Sequence, residues 1–343
     1  MGNAKRYIRS LALGHLIYPE SLASGGGLPL ESGRVHYVDG DLTPTGTGRT
    51  WGAAFNTIAG AISEASAGDV LRIATLTMSS GAADPSSYEE NLTIPAAKGS
   101  LSLIGTYRGK TQGGLPQLKD GATTTQEIIR VRAPGCVISD LGFNGAGNTG
   151  GGVLLDESGS GNTAFGTTIQ GCHFKNCNGS TSTDVKTGGA IMWSAVGGAW
   201  QARIADNVFY KNTGDVVLKG TTSSRPQDVV IEDNTFSGPA GSVDANLYLA
   251  GGSGMNGVTI KRNDFPAVDL PALGSGTVLL YIDAASCTGL LAGNTFATIV
   301  DTLGSEKTFG ATGSGGIIPT TMRMANNWGE ATANTYTGQI HRT

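Results

Sequence analysis

The chain has 343 residues, of which 15% are charged and 54 are glycine, and its formal net charge is −4. This is a low share of charges and about twice the usual share of glycine, which favours strands and turns and argues against a nucleic-acid partner. No apolar run approaches the ~20 residues of a membrane span, so no membrane partner is expected. The four cysteines are too sparse for a disulfide framework and are expected to be buried, reduced side chains.

Residues 1–34 are predicted to form an N-terminal arm with a glycine-rich linker. Basic and apolar residues alternate in the arm, and no acidic residue precedes Glu20. So many apolar groups do not suit a solvated tail, and we expect the arm to become ordered on a partner protein. Packing on its own body or on a sister subunit stays open as an alternative. The residues assigned to partner binding are Lys5, Arg6, Tyr7, Ile8, Arg9 and Leu11.

A helix is predicted at residues 51–66, after a strand at "RVHYVD". Its apolar residues recur at helical spacing, Thr50 is a plausible N-cap, and Gly68 is a plausible stop. Only short strand-like runs follow this helix. The helix is therefore expected to cover the first coil of the structure that these strands form.

A ten-residue pattern recurs from Phe143 onward, as in "VVIEDNTFSG" and "VTIKRNDFPA". Its aromatic position is occupied by Phe143, Phe174, Phe209, Phe236, Phe265, Phe296 and, by replacement, Trp328. Five residues earlier stand Ile138, Ile169, Ile204, Ile231, Ile260 and Leu291, and two residues earlier stand Asn207, Asn234, Asn263, Asn294 and Asn326. The last copy has Arg323 in the aliphatic position, so the repeat is expected to fray there.

A period near 30 residues with two or three short strands per unit predicts an all-β fold, a right-handed parallel β-helix over residues 35–330 with a C-terminal tail at 331–343. Equivalent residues of successive coils then lie directly above one another, about 4.8 Å apart. The aliphatic and aromatic columns would fill the interior. An asparagine column at a bend would bond along the stack and satisfy backbone groups.

The run "VHYVDGDLTPTGTGRTWGAAFNTIAGAISEASAGDVLRIA", followed by "YEENLTIPAAKGSLSLIGT", resembles the opening of pectate-lyase-like right-handed β-helix proteins. The resemblance covers residues 35 to about 330 and implies the fold. That superfamily includes pectin-degrading enzymes, phage tailspikes and non-catalytic virion proteins, so the resemblance leaves the function open. The loop "DGDLTPTGTG" departs from the family pattern because it lacks a second Asn or Asp. A family calcium site there is doubtful, and no metal or cofactor is expected.

One surface column carries candidate chemistry, three residues before the aromatic position. It contains Asp206, Asp233 and Arg262, the best acidic constellation in the sequence, and no other coil is expected to offer a converging pair. Adjacent like charges repel, so the two aspartates imply a cation, a raised pKa, or exposure relieved by Arg262. A structural pair is favoured over catalysis or Ca²⁺ binding. The expected set of catalytic residues is therefore empty, and these three residues are the alternative.

Other motifs are weaker. Cys172, His173 and Cys177 suggest zinc, but no second Cys/His pair follows at ligand spacing, so core packing is favoured. His15, His36 and His341 lie apart, with no nucleophile pattern nearby. Trp193 and Trp200 stand in a long insertion, where a fold-back or a subunit contact is favoured over stacking on sugars.

Two classes of function stay open. The first is a non-enzymatic structural protein of a phage virion, either a capsid decoration or cement protein or a short spike, anchored by the arm to the major capsid protein or another virion protein. The alternative is a tailspike-type polysaccharide depolymerase, a lyase or glycoside hydrolase, or a host-receptor-binding β-helix. Few carboxylates and aromatic residues favour the first.

The resemblance to phage spikes also implies a homotrimer, with a surface polysaccharide as a further candidate ligand. The N-terminal segment does not fit a signal peptide, because Gly14 and His15 interrupt its short apolar run. The expected location is therefore the virion, assembled in the host cytoplasm.

Overall fold

The structure is a computed structural model. The structure describes residues 33–77, 86–106, 109, 114–145, 150–157, 161, 163–178, 189–193, 200–220, 226–237, 245–251, 255–266, 278–283, 287–296, 309–310, 321–329 and 338–340. All six arm residues assigned to partner binding lie outside these ranges, as do His15 and His341. No helix of the described part is long and apolar enough to cross a membrane.

Short strands make up most of the described chain. The first fourteen are β1 (Val35–Val38), β2 (Val70–Ala74), β3 (Ser87–Glu89), β4 (Leu92–Ile94), β5 (Ser102–Thr106), β6 (Gln117–Lys119), β7 (Ile129–Val131), β8 (Val137–Ser139), β9 (Gly142–Asn144), β10 (Val153–Leu155), β11 (Thr168–Gln170), β12 (His173–Lys175), β13 (Ile191–Trp193) and β14 (Arg203–Ala205). The others are β15 (Val208–Tyr210), β16 (Val216–Gly220), β17 (Val230–Glu232), β18 (Thr235–Ser237), β19 (Ala245–Gly251), β20 (Val258–Lys261), β21 (Asp264–Phe265), β22 (Val278–Asp283), β23 (Gly289–Ala292), β24 (Thr295–Phe296), β25 (Phe309–Gly310), β26 (Met322–Ala325), β27 (Asn327–Gly329) and β28 (Gly338–Ile340).

These strands form three parallel sheets that the chain visits in rotation. Sheet A is ordered β1-β2-β5-β8-β11-β14-β17-β20-β23-β26, sheet B runs from β3 to β28 through β6, β9, β12, β15, β18, β21, β24 and β27, and sheet C is ordered β4-β7-β10-β13-β16-β19-β22-β25. From β2 to β25, each coil contributes one strand to each sheet, and each strand pairs with its equivalent in the next coil. The pairing of β27 with β28 is antiparallel. The predicted parallel β-helix is confirmed.

The repeating aromatic residues form an internal column. Six phenylalanines from Phe143 to Phe296 are buried, and successive ring centroids lie 4.5 to 5.2 Å apart with nearly parallel planes. The aliphatic column stands beside it, with Ile138, Ile169, Ile204, Ile231, Ile260 and Leu291 in register. The core therefore contains columns of like side chains stacked coil upon coil, as the repeat predicts.

An asparagine ladder lies at the bend between sheets A and B. The Oδ1 atom of each buried asparagine accepts from the backbone N–H and the Nδ2 atom of the asparagine before it, and its own Nδ2 donates to a carbonyl of the preceding coil. All these bonds are 2.8 to 3.1 Å long. Cys172 heads the ladder, where its N–H donates to Asn207 Oδ1 at 2.9 Å. The ladder satisfies backbone groups that the bend would otherwise bury without partners.

The last coil is shifted by one residue from its predicted alignment. Met324, not Arg323, lies opposite Leu291, and Gly329, not Trp328, lies opposite Phe296. Two consecutive asparagines cause the error, because Asn326 takes the left-handed corner while Asn327 continues the ladder. The aliphatic column therefore extends into this coil through Met324, whereas Gly329 ends the aromatic column. The repeat frays in this coil as predicted, but at the aromatic position and not at Arg323.

The predicted helix at 51–66 is in fact two elements. A 3₁₀ turn spans Trp51–Ala53, and the α-helix α1 spans Ile58–Glu64 with Thr57, not Thr50, as its N-cap. The break occurs because Phe55 joins the sheet, where its N–H donates to Tyr37 O at 2.9 Å. The Glu90 carboxylate accepts the N–H groups of Ile58 and Ala59 from another coil. α1 packs against β1, β2 and β4, and its covering role stays a prediction.

Candidate functional site

The column of Asp206, Asp233 and Arg262 forms a left-handed corner of the coil. These residues have φ values of 55°, 57° and 54°, and the corner is occupied elsewhere by Asp140, Gly171, Gly293 and Asn326. Glycine, asparagine and aspartate adopt this conformation most readily. The backbone therefore explains most of the aspartates in this column without any catalytic role.

Arg262 holds one of the two predicted carboxylates. Its Nε donates to Asp233 Oδ1 at 2.7 Å and its Nη2 to Asp233 Oδ2 at 2.6 Å. Hydrogen bonding to Asp233 raises the pKa of the already basic Arg262 further. Asp206 is exposed, and in the described part of the chain no side chain bonds to its carboxylate. The structure thus pairs Asp233 with Arg262, and Asp206 is not part of this ion pair.

Glu232 is the centre of this cluster and was missed by sequence reasoning. Its buried carboxylate accepts from Arg203 at 2.8 Å, from Lys261 at 2.8 Å and from Arg262 at 3.0 Å. Burial alone would raise the pKa of Glu232, but the bonds from Lys261 and Arg203 outweigh it and leave the pKa lowered. The sequence did contain a signal for this cluster, because the equivalent segments "IEDN" and "IKRN" place opposite charges on neighbouring rungs.

A second charged cluster lies where β7 and β10 of sheet C end. Arg132 Nε donates to Asp156 Oδ2 at 2.8 Å, while Arg130 donates to Glu127 and lies 3.9 Å from Asp156. The bond to Glu127 raises the pKa of Arg130. The prediction that no other coil holds converging carboxylates is therefore wrong. Sequence reasoning missed this cluster because its members lie outside the repeating columns.

The predicted zinc alternative has no support among the described residues, in which no group of three or more His, Cys, Asp or Glu side chains could hold a metal. All four cysteines are buried and unpaired as thiols. Burial raises the thiol pKa of Cys136 and Cys177 to about 12 and that of Cys287 to about 11, and it raises that of Cys172 as well. Such thiols are poor nucleophiles at neutral pH.

His36 and Trp193 take structural positions. His36 Nε2 lies 2.9 Å from Asp69 Oδ2, and this carboxylate also accepts the backbone N–H groups of Arg34 and Ser66. Burial would raise the pKa of Asp69, but the bonds from Ser66, His36 and Arg34 outweigh it and lower the pKa. Trp193 lies in β13 and is buried, whereas Trp200 is exposed. The predicted placement of both tryptophans in one insertion is therefore wrong for Trp193.

Asp215 is a buried carboxyl group with amide partners. Asn212 Nδ2 donates to its Oδ1 and Asn246 Nδ2 to its Oδ2, both at 2.8 Å. Among the described residues, no cation pairs with it. Burial raises the pKa of Asp215 from 3.8 to about 7, against a smaller opposing effect of the two amides. Its proton is therefore coupled to folding.

We expect Asp215 to destabilise the fold as the pH rises from 3.8 to about 7, because the unfolded chain ionises there while the folded chain keeps the proton. Each pH unit in this window should cost ~1.4 kcal/mol of the free energy of unfolding. Asp215→Asn removes this dependence, so its stability relative to wild type should rise across the window. Urea unfolding in one-unit pH steps measures the difference. The exposed Asp228→Asn is the control, and equal slopes for all three proteins would contradict the assignment.

No protein-family model matches the chain, and no curated protein matches it. Solved structures do, and the likeness supports the parallel β-helix fold. Escherichia coli YbhC is similar at a TM-score of 0.50 and 10% identity, over 85% of this chain and 84% of that one. A pectin methylesterase from Aspergillus niger has a TM-score of 0.46 and 13% identity, over 92% of each chain.

A phage protein also matches. Geobacillus virus E2 ORF18 has a TM-score of 0.49 and 13% identity over 86% of this chain, which spans 60% of the length of that protein. The neighbours thus include a phage protein beside pectin-degrading enzymes. At these identities, the likeness establishes the fold and nothing beyond it.

Proposed function

We propose that this chain is a non-enzymatic structural protein of a phage virion, either a capsid decoration or cement protein or a short spike. The observation that supports this role is the bidentate pair of Arg262 with Asp233, in which the candidate carboxylate is already bound to a cation. A general acid or base must exchange its proton with a substrate near the working pH. A carboxylate held by a guanidinium instead fastens two coils together.

The cluster at the end of sheet C supports the same reading. Asp156 is buried and bonded to Arg132, and Glu127 is bonded to Arg130. Both clusters join residues of neighbouring coils, so they add lateral bonds to the ladders of the core. A body built in this way is a stiff spacer, which suits a protein that projects from a particle.

Attachment is the second part of the proposal. We place it on the N-terminal arm, whose residues Lys5, Arg6 and Arg9 are interleaved with Tyr7, Ile8 and Leu11. The apolar side chains would supply affinity and the basic ones would steer the arm to an acidic groove of a shell protein. A homotrimer, with the virion as its location, completes the proposal.

Particle association tests this function. In the virions of the phage or prophage that encodes the chain, we expect the full protein to sediment with particles, whereas a chain lacking residues 1–24 should fold but stay in the supernatant. Tyr7→Ser with Ile8→Ser should release the protein more than Lys5→Glu with Arg6→Glu, because the apolar residues carry the affinity. Circular dichroism verifies folding of each variant.

Two results would contradict the proposal. One is unchanged particle occupancy of the truncated chain. The other is release of reducing ends or unsaturated products from host surface polysaccharide by the wild type, with the release abolished in Asp233→Asn. The second result would favour the depolymerase alternative.

A further inference from the structure

The outward face of sheet A is buried over three neighbouring strands. In β2, β5 and β8, side chains such as Leu71, Leu103 and Ile138 point into the core, so the residues beside them in each strand point out of the solenoid. An outward position predicts contact with solvent, yet the exposed fractions of these side chains are only 2 to 8%. We call them the outer patch, and they are Val70, Arg72, Ser102, Ile104, Val137 and Ser139.

The outer patch has limits on both sides within sheet A. On one side, the outward residues Val35 and Tyr37 of β1 are half-buried, and Trp51 lies beside Tyr37 with ring centroids 4.7 Å apart. On the other side, Thr168 and Gln170 of β11 are half-buried. Deep burial of three strands between more exposed neighbours is the pattern that a narrow covering segment produces.

The elements of the described part of the chain do not account for this cover. β5 packs against β2 and β8, and β8 packs against β5 and β11, which are contacts along strand edges. α1 also packs against β2, but its buried residues belong to the core cluster. Val70, Ile104 and Val137 are apolar and buried without belonging to that cluster. Their burial calls for a further apolar partner on the outside of sheet A.

We propose that residues 28–32, which immediately precede the described chain, lie across the outer patch. The described chain begins at Gly33, where an added Cβ atom would lie 2.2 Å from Gly68 O. The next residue, Arg34, accepts the N–H of Val70 through its carbonyl oxygen at 2.9 Å. The segment therefore starts beside the first residue of the patch.

The sequence of this segment, "LPLES", suits an extended crossing of the strands. Leu28 and Leu30 are two positions apart and would share one face, and Pro29 favours extended backbone at itself and at Leu28. Five extended residues span ~17 Å. The three strand spacings from β1 to β8 amount to ~14 Å. The two leucines can therefore reach the apolar members of all three strands.

The charge of the segment matches that of the outer patch. Arg72 is the charged residue of the patch and is 8% exposed. A guanidinium that is withdrawn from water requires compensation by a carboxylate or by carbonyl groups. Glu31 brings a carboxylate to the part of the segment nearest to β2. A segment with one acid thus fits a patch with one cation.

This placement gives the arm a fixed root. The segment shields apolar side chains that would otherwise form an adhesive surface, and it determines where the arm leaves the body. Residues 5–11, to which we assign attachment, lie upstream and stay available to a partner. A chain lacking residues 1–24 keeps the segment, so failure of attachment and failure of this placement are measured separately.

Disulfide trapping in the full chain tests the placement. Ser102→Cys is combined with Leu28→Cys or with Leu30→Cys. In the matched control pairs, Thr259→Cys replaces Ser102→Cys, because Thr259 occupies the same column five strands further along sheet A. We expect at least one Ser102 pair to form an intrachain bond about tenfold faster than its control, because bridged Cα atoms must lie within ~7 Å of each other. Peptide mapping distinguishes this bond from exchange with the four buried native thiols.

Substitution of the two leucines provides a second measurement. Leu28→Ser with Leu30→Ser should lower the thermal midpoint by about 3 °C or more and increase the binding of an apolar dye, because the apolar members of the patch lose their cover. Leu13→Ser with Leu16→Ser makes the same chemical change upstream of the segment. This control should leave both readouts at the wild-type level.

Three outcomes would overturn the proposal. The first is that the Ser102 pairs cross-link no faster than the Thr259 pairs. The second is that they form dimers in place of intrachain bonds, which would assign the cover to a second copy of the chain. The third is that the serine variant of the segment is as stable as its upstream control, which would assign the cover to a different part of the chain.

Discussion

Asn263→Ala should lower the free energy of unfolding by about 3 to 6 kcal/mol, a large part of the ~5 to 15 kcal/mol of a typical domain. Its Oδ1 accepts from Asn234 N at 3.1 Å and from Asn234 Nδ2 at 2.9 Å, and its Nδ2 donates to Ile231 O and Asn294 Oδ1 at 3.0 Å. Alanine cannot replace any of these four bonds. The groups left behind are buried, and each unsatisfied one costs about 1 to 3 kcal/mol.

Asn256→Ala provides the matched control in the same coil. Asn256 is half-buried and lies outside the ladder, so its substitution should change stability by about 0.5 kcal/mol or less. Guanidinium unfolding followed by circular dichroism compares the two variants through their midpoints, because a solenoid need not unfold in one step. A loss in Asn263→Ala no larger than in Asn256→Ala would show that the ladder does not stabilise the stack.

The fold was predictable because its core is periodic. Each coil repeats an aliphatic residue, an asparagine and a phenylalanine at fixed offsets, and identical residues at fixed offsets must stack in a solenoid. The alignment failed only where the pattern became ambiguous, at Asn326 and Asn327. Backbone conformation decides between them, because one has φ near 52° at the corner and the other continues the buried ladder. The sequence alone does not distinguish these two asparagines.

The candidate site was harder to predict because aspartates occupy the corner column for two different reasons, the positive φ of the backbone and the formation of an ion pair. Asp206 and Asp233 stand in it as residues suited to positive φ, yet only Asp233 gains an ionic partner. The partner is supplied by a neighbouring coil, and Glu232 enters the cluster from the strand before the corner. Such contacts depend on where each side chain points relative to the neighbouring coils. The repeat in the sequence shows which residues lie on successive rungs, but it does not show where their side chains point.

Phe209→Ala should destabilise the protein by about 3 to 5 kcal/mol, the usual cost of deleting a buried phenylalanine. Its ring is fully buried between Phe174 and Phe236, with centroids 5.2 and 4.9 Å away and interplanar angles of 10° and 5°. Alanine would remove both stacking contacts and leave a cavity. The parallel strands on either side are fixed by their backbone bonds, so the cavity cannot close by a simple shift of one coil.

Two further substitutions separate stacking from volume. Phe209→Leu keeps most of the volume but removes the ring, so it should cost less than half as much as Phe209→Ala and remain well folded even if the alanine variant does not. Phe165→Ala deletes the same side chain from an exposed position and should cost ~1 kcal/mol or less. Thermal and guanidinium midpoints rank the three variants. The two alanine variants delete the same side chain and differ in its burial. If Phe209→Ala proved no more destabilising than Phe165→Ala, the buried aromatic column would not be a source of stability.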